Sequence, residues 1–292
     1  MSPGLSVGDA QYGAARSRRL LVDTIRALGP LGSAATVVGA HAVHLWVQDA
    51  WGPVAMEATR DADVVVNPVF IAADPKLVDL LAGIGVGPAL PDRPGLYGYE
   101  AESSHPLTER TTVDVIVPEV YAGAGRRAAR ILGQRHAAGR ALGLELAVWD
   151  RHAHTVSTLD EPTQSIGAFV AGPAALLVAK AHKVHERLAA YATRPARLRV
   201  KDSGDVALLM TVSDPTEVAE TMEAQVSAHP ETTGSVRAGS GYLTEPYGSH
   251  DAVPRIHAVQ ALAPRFDEAQ VHETMDRWLG AFDQASGPNR RD

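Results

Sequence analysis

The chain contains no cysteine. Disulfide bonds, thiolate metal sites and a cysteine nucleophile are therefore excluded. The first residues, MSPGLSVGDAQYG, contain no apolar stretch of the kind that a secretory signal peptide needs. No run approaches the roughly 18 consecutive apolar residues that a membrane-spanning helix requires. These absences predict a soluble, cytoplasmic protein that does not interact with a membrane.

Positive charge is unevenly distributed along the chain. The 292 residues carry a net charge of −7, which argues against a dedicated nucleic-acid-binding protein. The segment from Tyr121 to Leu144 nevertheless has no acidic residue and contains Arg126, Arg127, Arg130, Arg135 and Arg140. A second basic segment contains Arg194, Arg197, Arg199 and Lys201. The first segment either contacts a polynucleotide or forms a solvated helix face whose arginines pair with the acidic C-terminal third.

The pattern of apolar residues predicts an α+β fold. The β-branched segments 62–68 and 111–119 are typical of buried strands, and residues 9–28 have helical spacing. The stretch AATVVGAHAVHLW reads as a short strand that continues through a glycine into a helix. We predict a mixed sheet with flanking helices in residues 1–165, and a mainly helical domain in residues 166–292.

Several local predictions accompany this fold. Glycine and proline predict a loop over residues 85–100, whereas residues 126–143 favour a helix. Residues 145–150 and 166–172 read as strands, and the polar, glycine-rich residues 228–252 read as a loop. A further helix is predicted with Asp74 as its N-cap, Pro75 in its first turn and Gly83 after its end.

Two aspartates lie one residue apart in the segment EATRDADVVV. Because alternate side chains of a strand point to opposite faces, Asp61 and Asp63 are expected to share one face. Asp114, inside the next predicted strand, joins them if the two strands are neighbours. Three carboxylates with two open sides suit Mg²⁺, whose coordination is usually completed by substrate phosphates. The alternatives are that Asp61 and Asp63 cap a strand end in solvent, and that Asp114 caps a strand end or pairs with an arginine such as Arg110.

Other segments supply groups that could bind phosphate. Gly39 lies between a predicted strand and a helix, whose first backbone amides favour a phosphate. Lys180 lies at the edge of the apolar stripe of a predicted helix, as a phosphate ligand or as a snorkelling surface residue. Asp202 begins another helix, as a cap or as part of a site. His152 and His154 form an H-x-H pair, which we interpret as surface histidines because no third ligand is nearby.

Taken in order, these segments resemble the nucleotidyltransferase superfamily of DNA polymerase β type, and within it the AbiEii-like family that includes type IV toxins of toxin–antitoxin systems. The first motif of that family is a strand, a glycine with a small residue, a helix and T-x-D-x-D on a strand; its counterparts here are Gly39, Ala40, Thr59, Asp61 and Asp63. The later motif is K-x-H-x-x-x-x-R followed by a basic or acidic pair and a second aspartate. It is matched by Lys180, His182 and Arg187, and then by Lys201, Asp202 and Asp205. Ala40 replaces the usual glycine or serine, so phosphate binding there relies on backbone amides.

The resemblance implies that the mixed sheet of residues 1–165 has the nucleotidyltransferase fold and that the helical domain of residues 166–292 completes its cleft. It also implies Mg²⁺-dependent transfer of a nucleoside monophosphate from a nucleoside triphosphate to an acceptor hydroxyl. The metal ligands that it implies are Asp61, Asp63 and Asp114, with Lys180 and Asp202 completing the catalytic set. The nucleotide-binding residues that it implies are Gly39, Ala40, Thr59, Lys180 and Arg187. The implied acceptor is RNA, such as a tRNA end, with a cognate antitoxin as a partner. Two alternatives stay open: a small-molecule transferase of the antibiotic-modifying type, and a non-catalytic relative that binds a nucleotide or a partner protein.

Overall fold

The computed structural model describes residues 7–52, 59–263 and 265–287, and within them the chain forms two compact units. Unit 1 comprises the described residues of Met1–Leu45, Ala55–Ala141 and Arg151–Ala171. Unit 2 comprises those of Trp46–Val54, Leu142–Asp150 and Gly172–Asp292. The predicted α+β class is confirmed, with a mixed sheet and flanking helices followed by a mainly helical C-terminal region. None of the helices described is both long and apolar enough to cross a membrane.

The strands of unit 1 form one eight-stranded sheet. In chain order they are β1 (Ala35–Val38), β2 (Asp61–Val66), β3 (Val86–Pro88), β4 (Leu96–Tyr99), β5 (Thr112–Pro118), β6 (Gly139–Ala141), β7 (Arg151–Ser157) and β8 (Ser165–Ala171). Their order across the sheet is β3-β4-β5-β2-β1-β8-β7, and β6 also pairs with β5. The sheet is mixed because β2–β5, β1–β8 and β5–β6 are parallel, whereas the other pairs are antiparallel.

In the described part of unit 1, three α-helices accompany this sheet: α1 (Val7–Ala27), α2 (Gly39–Trp51, assigned to unit 1 as far as Leu45) and α3 (Leu77–Ala82). The strand–glycine–helix prediction is confirmed, because α2 follows β1 directly at Gly39. Helix α1 packs against β2, β5 and β8. Ala62, Val64 and Val66 share one face of β2 and are fully buried. Strand alternation therefore places Asp61 and Asp63 on the opposite face.

Unit 2 is built from six helices among its described residues: α4 (Pro173–Ala189), α5 (Val200–Val212), α6 (Pro215–Ala228), α7 (Thr233–Thr244), α8 (Val253–Leu262) and α9 (Glu268–Ser286). Helix α4 packs against α5, α6 and α7, while α5 packs against α8 and α9. The buried carboxylate of Asp150 accepts a hydrogen bond of 2.8 Å from the amide of Ala175 in the first turn of α4. That bond satisfies one of the amides that a helix start leaves without an intrahelical partner.

Two predictions for unit 1 are wrong. Residues 85–100 are not a loop throughout, because they contain the short strands β3 and β4. Residues 126–143 are not a helix; they form an irregular loop that ends in β6. The chain turns at glycines with φ of +67° at Gly123 and +69° at Gly133, a conformation that interrupts a right-handed helix. Arg140 closes the loop by donating to the carbonyls of Gly123 and Gly125 and to the carboxylate of Glu119.

The other differences concern short segments. The predicted strand over 145–150 is a turn of 3₁₀ helix at Glu145–Val148. Its buried carboxylate at Glu145 accepts hydrogen bonds from the Gly143 amide at 2.8 Å and the Ser235 hydroxyl at 2.6 Å. The helix predicted from Asp74 begins at Leu77, whose amide donates to the side chain of Gln134, although its end at Gly83 is confirmed.

The glycine-rich stretch 228–252 contains helix α7, and is not the loop that its composition predicts. Gly239 explains the difference, because a Cβ atom there would lie 2.8 Å from Cγ1 of Val178 on α4. The glycine therefore allows close packing of the two helices, and this packing offsets its low helix propensity.

Candidate functional site

Strands β2 and β5 bring the predicted carboxylates to neighbouring positions in unit 1. The two strands are parallel, with Asp61 opposite Thr112 and Asp63 opposite Asp114. Directly opposite residues share a face, and neighbouring strands are about 4.8 Å apart. Asp61 is exposed, whereas Asp63 and Asp114 are half-buried. We call Asp61, Asp63 and Asp114 the carboxylate edge.

Two threonines position Asp61. The Thr112 hydroxyl donates to Oδ1 of Asp61 at 2.9 Å. The hydroxyl of Thr59, which is buried, donates to the carbonyl of Asp61 at 3.1 Å. The first residue of the T-x-D-x-D motif therefore fixes the backbone on which the aspartates lie.

Gly39 lies directly against Asp63. Its φ is +70°, and a Cβ atom at this position would lie 2.0 Å from Oδ2 of Asp63. Strand β1 sets this approach, since Val38 is the register partner of Asp63. Any side chain at position 39 would displace the carboxylate, so glycine is required both for backbone conformation and for space. The next residue, Ala40, is buried in the first turn of α2.

Asp114 is paired with an arginine, which agrees with one alternative from the sequence analysis. The partner, however, is Arg93 and not Arg110. Nη2 of Arg93 lies 3.3 Å from Oδ2 of Asp114, and the Arg93 side chain is 55% exposed. Arg110 instead donates to the backbone carbonyls of Ser103, His105 and Ala89. An exposed pair of this kind contributes at most about 1 kcal/mol, so Asp114 can exchange this partner readily.

The carboxylate edge is not arranged as a finished metal centre. Across the part of the chain that the structure describes, no three histidine, aspartate or glutamate side chains are grouped so that they could hold a metal ion. His152 and His154, on β7, belong to no such group either. The donor chemistry of the edge nevertheless fits Mg²⁺, which needs only one or two carboxylates and takes its other ligands from water and phosphate. Because Gly39 has no side chain, one side of the Asp63 carboxylate is not covered by a Cβ atom.

Lys180, in unit 2, is not at an exposed edge of its helix as expected. It is 5% exposed, and its ammonium group is ion-paired with the carboxylate of Asp205 at 2.5 Å. Asp205 is itself 5% exposed. Removing one partner of such a buried pair lowers the free energy of unfolding by several kcal/mol, because the other charge stays buried without its counter-charge. The alternative that Lys180 is a snorkelling surface residue is therefore wrong.

Asp202 is the centre of a second ion-pair network in unit 2. It is fully buried at the third position of α5, where Arg199 and not Asp202 is the N-cap. Arg187 donates to its Oδ2, the Arg199 amide donates to the same oxygen at 3.1 Å, and the Lys183 ammonium lies 3.5 Å from Oδ1. Burial alone would raise the pKa of Asp202, but the charges of Lys183 and Arg187 outweigh it and hold the pKa below its ordinary value.

The arginine-rich segment of unit 1 presents free positive charge. We call residues 122–138 the basic loop. Its four arginines are exposed and make no ion pair within the described part of unit 1: Arg126, Arg127, Arg130 and Arg135. A cavity of about 500 Å³ beside the loop is lined by Arg126, Arg127, His136 and Asp92, together with two prolines. Arg140 differs from these four because its guanidinium is engaged by Glu119 and the loop carbonyls.

The residues predicted from sequence are thus divided between the two units. Unit 1 holds the first motif, namely Gly39, Ala40, Thr59, Asp61, Asp63 and also Asp114. Unit 2 holds Lys180, Arg187 and Asp202. Sequence reasoning missed Arg93 as a partner of Asp114 and Asp205 as a partner of Lys180. For Asp205 a signal existed, since it is the last residue of the KDSGD segment that matches the later motif.

No protein-family model matches the chain, and no curated protein or solved structure is significantly similar to it.

Proposed function

We propose that the chain is an Mg²⁺-dependent nucleotidyltransferase that moves a nucleoside monophosphate from a nucleoside triphosphate to an acceptor hydroxyl. The observation that carries the proposal is the position of Asp63. Asp63 is the register partner of Asp114 on the neighbouring strand. Its carboxylate also lies against Gly39, which begins helix α2. A strand pair bearing carboxylates next to a helix start combines a cation-binding edge with an anion-binding one.

In this proposal each group of unit 1 has a separate task. The first amides of α2 bind a phosphate of the nucleotide, with Gly39 allowing close approach. Asp61, Asp63 and Asp114 hold Mg²⁺, which supplies stabilisation of the charge that develops on the transferred phosphoryl group and on the leaving pyrophosphate. Thr59 keeps the backbone of Asp61 in place. Positions fixed by a rigid strand pair favour the in-line geometry that the transfer needs.

Lys180 and Arg187 of unit 2 can bind a nucleotide only if they leave their present ion-pair partners. A triphosphate would compete with Asp205 for the ammonium of Lys180, and with Asp202 for the guanidinium of Arg187. Nucleotide binding by these two cations therefore requires an exchange of partners.

We propose RNA, for example a tRNA end, as the acceptor, in a cytoplasmic reaction of the toxin type that an antitoxin would restrain. Four exposed arginines of the basic loop support this choice, because they concentrate positive charge on a chain whose net charge is −7. A small hydroxylated acceptor would have no use for such a surface.

The second candidate is a non-catalytic relative that binds a nucleotide. It is favoured by two observations. Asp114 is paired with Arg93, and the described residues contain no group of three histidine, aspartate or glutamate side chains that could hold a metal ion.

Transfer of label from each nucleoside triphosphate to RNA and to small acceptors, with Mg²⁺ present, tests the proposal. We expect Asp61→Asn and Asp63→Asn each to lower the rate by about a hundredfold or more, because each removes a carboxylate that would hold Mg²⁺ against the reacting phosphates. Asp79→Asn, at an exposed position of α3, is the matched control and should leave the rate unchanged. Equal rates in all three variants would refute the carboxylate mechanism. No transfer by the unaltered chain to any acceptor would favour the non-catalytic candidate.

A further inference from the structure

A second cavity lies within unit 2, and none of its lining residues takes part in the proposed function. It has a volume of about 660 Å³, which is in the range of small-ligand sites, roughly 300–1,000 Å³. Its aromatic lining consists of Trp51, Phe266 and Trp278. Two arginines, Arg265 and Arg277, also line it. We call it the aromatic cavity.

The aromatic residues divide into a fixed floor and an accessible wall. Trp278 is 3% exposed, and its indole N–H donates to the carbonyl of Ser213 at 3.1 Å, so it is held in place. Trp51 is half-buried and lies beside Phe266, with ring centroids 5.7 Å apart. The guanidinium carbon of Arg265 lies 4.5 Å from the centroid of the Trp51 ring. A guanidinium on an aromatic face forms a second planar surface on which another ring can stack.

The charge of the aromatic cavity is positive. Arg265 and Arg277 are exposed and form no ion pair with any residue of the described part of unit 2. Among the described residues, the only acidic side chain that lines the cavity is that of Asp214. Its carboxylate is already engaged as the N-cap of α6, where it accepts from the amides of Thr216 and Glu217 at 2.8 and 3.0 Å. The cavity therefore offers a stacking surface and an uncompensated guanidinium to the same ligand.

A ligand that matches both features has a flat ring and an anionic group. We propose that the aromatic cavity binds one nucleotide of a single-stranded RNA, with the base stacked on Arg265 and Trp51 and a phosphate paired with Arg277. Proteins bind single strands through the same combination of aromatic or guanidinium stacking and cationic contacts to phosphate. An acidic peptide would satisfy Arg277 but would leave the stacking surface unused.

This inference goes beyond the proposed transfer reaction and is tested by binding alone, without Mg²⁺ or nucleoside triphosphate. Fluorescence anisotropy with labelled hexa-adenylate as the probe should show saturable binding. Arg277→Gln should weaken binding about tenfold and lower the salt dependence by about 0.7 of a unit in the logarithmic plot, because the variant cannot pair with the phosphate. Arg237→Gln is the matched control, since Arg237 is exposed on α7 in the same unit and lies outside the cavity. It should change the affinity by less than about twofold.

The stacking step has its own pair of variants. Trp51→Phe keeps an aromatic face and should bind nearly as well as the unaltered chain, whereas Trp51→Leu should weaken binding about tenfold. Adenosine monophosphate should bind at least about tenfold more weakly than the hexamer, because a strand makes several contacts. Equal affinity of the Arg277→Gln and Arg237→Gln variants, or of Trp51→Leu and Trp51→Phe, would overturn the inference, as would equal affinity for the monophosphate and the hexamer. Asp63→Asn should bind the hexamer normally, which separates this inference from failure of the transfer reaction.

Discussion

Gly39 and Asp63 lie so close together that a Cβ atom on the first would be 2.0 Å from Oδ2 of the second. The first residue begins α2 and the second lies on β2, so this contact joins the helix start to the carboxylate edge. Position 39 therefore requires glycine for two reasons, its left-handed φ and the lack of space for a Cβ atom.

We expect Gly39→Ala to destabilise the fold and to abolish transfer. A non-glycine residue at a left-handed φ is unfavourable by about 1–2 kcal/mol, and overpacking against Asp63 adds about 1–3 kcal/mol. Urea unfolding measures the sum. Gly85→Ala is the control, because Gly85 has a φ of +71° but a Cβ atom there would have open space around it within the described structure, so only the first contribution applies. Equal destabilisation by both variants would show that the Asp63 carboxylate moves aside freely.

Arg93 should weaken cation binding at the carboxylate edge. Its guanidinium lies 3.3 Å from the carboxylate of Asp114, so Arg93→Gln removes a positive charge that competes with a cation for this carboxylate. We expect the affinity for Mg²⁺, measured by calorimetry, to rise severalfold, since one charge at close range near the surface changes binding by about 1 kcal/mol. Arg26→Gln is the control, because Arg26 forms a similarly exposed pair with Asp23 at 2.9 Å. Identical Mg²⁺ binding in both variants would exclude Asp114 from the ion site.

The sequence predicted the carboxylate edge better than its surroundings. The two strands of the edge are apolar at every second residue, and this local period alone places Asp61 and Asp63 on one face. The contact of Asp114 with Arg93 is not local, because β4 must first pair with β5 and bring the chain segment before it into place. Strands of three or four residues such as β3 and β4 carry too little pattern to be recognised without their partners.

In the basic loop and in α7, local helix propensity and tertiary packing favour different structures. Residues 126–143 contain good helix formers, but the loop buries Ala129, Ile131 and Ala137 within an irregular chain that is closed by Arg140. Helix α7 contains several glycines, but Gly239 allows it to contact Val178. In both segments tertiary contacts decide the structure against the local preference.

The ion pair between Lys180 and Asp205 should be required for folding. Lys180→Met leaves a carboxylate that is 5% exposed without its counter-charge, and we expect the free energy of unfolding to fall by about 3–5 kcal/mol. The double variant Lys180→Met with Asp205→Leu removes both charges and should recover most of that loss. Urea unfolding of the two variants provides the comparison. A single variant as stable as the unaltered chain, or a double variant no better than the single, would contradict the role of the pair.

Asp202 should contribute stability that disappears in acid. Because its pKa is held below the ordinary value in the folded chain, the unfolded chain binds more protons, and stability falls as pH decreases through the folded pKa. At neutral pH, Asp202→Asn should lower the free energy of unfolding by about 3 kcal/mol, since Arg187 and Lys183 lose their carboxylate. The gap between variant and unaltered chain should begin to narrow near pH 4, where the unfolded carboxyl group starts to bind a proton, and it should close as the pH falls through the lower pKa of the folded chain. A gap that stays constant from neutral pH to pH 3 would refute this account.

The basic loop should carry part of any RNA affinity by binding phosphates of the strand. Arg126, Arg127 and Arg130 are exposed, so replacing all three with glutamine should leave folding intact. Each arginine–phosphate pair that is removed lowers the slope of log affinity against log salt by about 0.7 for a single strand, so the slope of the triple variant should be smaller by about two units.

The control for this experiment changes net charge by the same amount at other places. Arg19, Arg26 and Arg237 are replaced together, because the first two already have acidic partners and the third is on α7. If only total charge matters, both triple variants will weaken RNA binding equally, and the loop has no special role. If the loop contacts phosphates, its triple variant alone will flatten the salt dependence, while nucleotide transfer to a small acceptor should persist. Unchanged RNA affinity in the loop variant would mean that the strand binds elsewhere. The two other places are the segment with Arg194, Arg197 and Arg199, and the aromatic cavity. The Arg277→Gln variant distinguishes them, because it should weaken binding only if the strand enters the cavity.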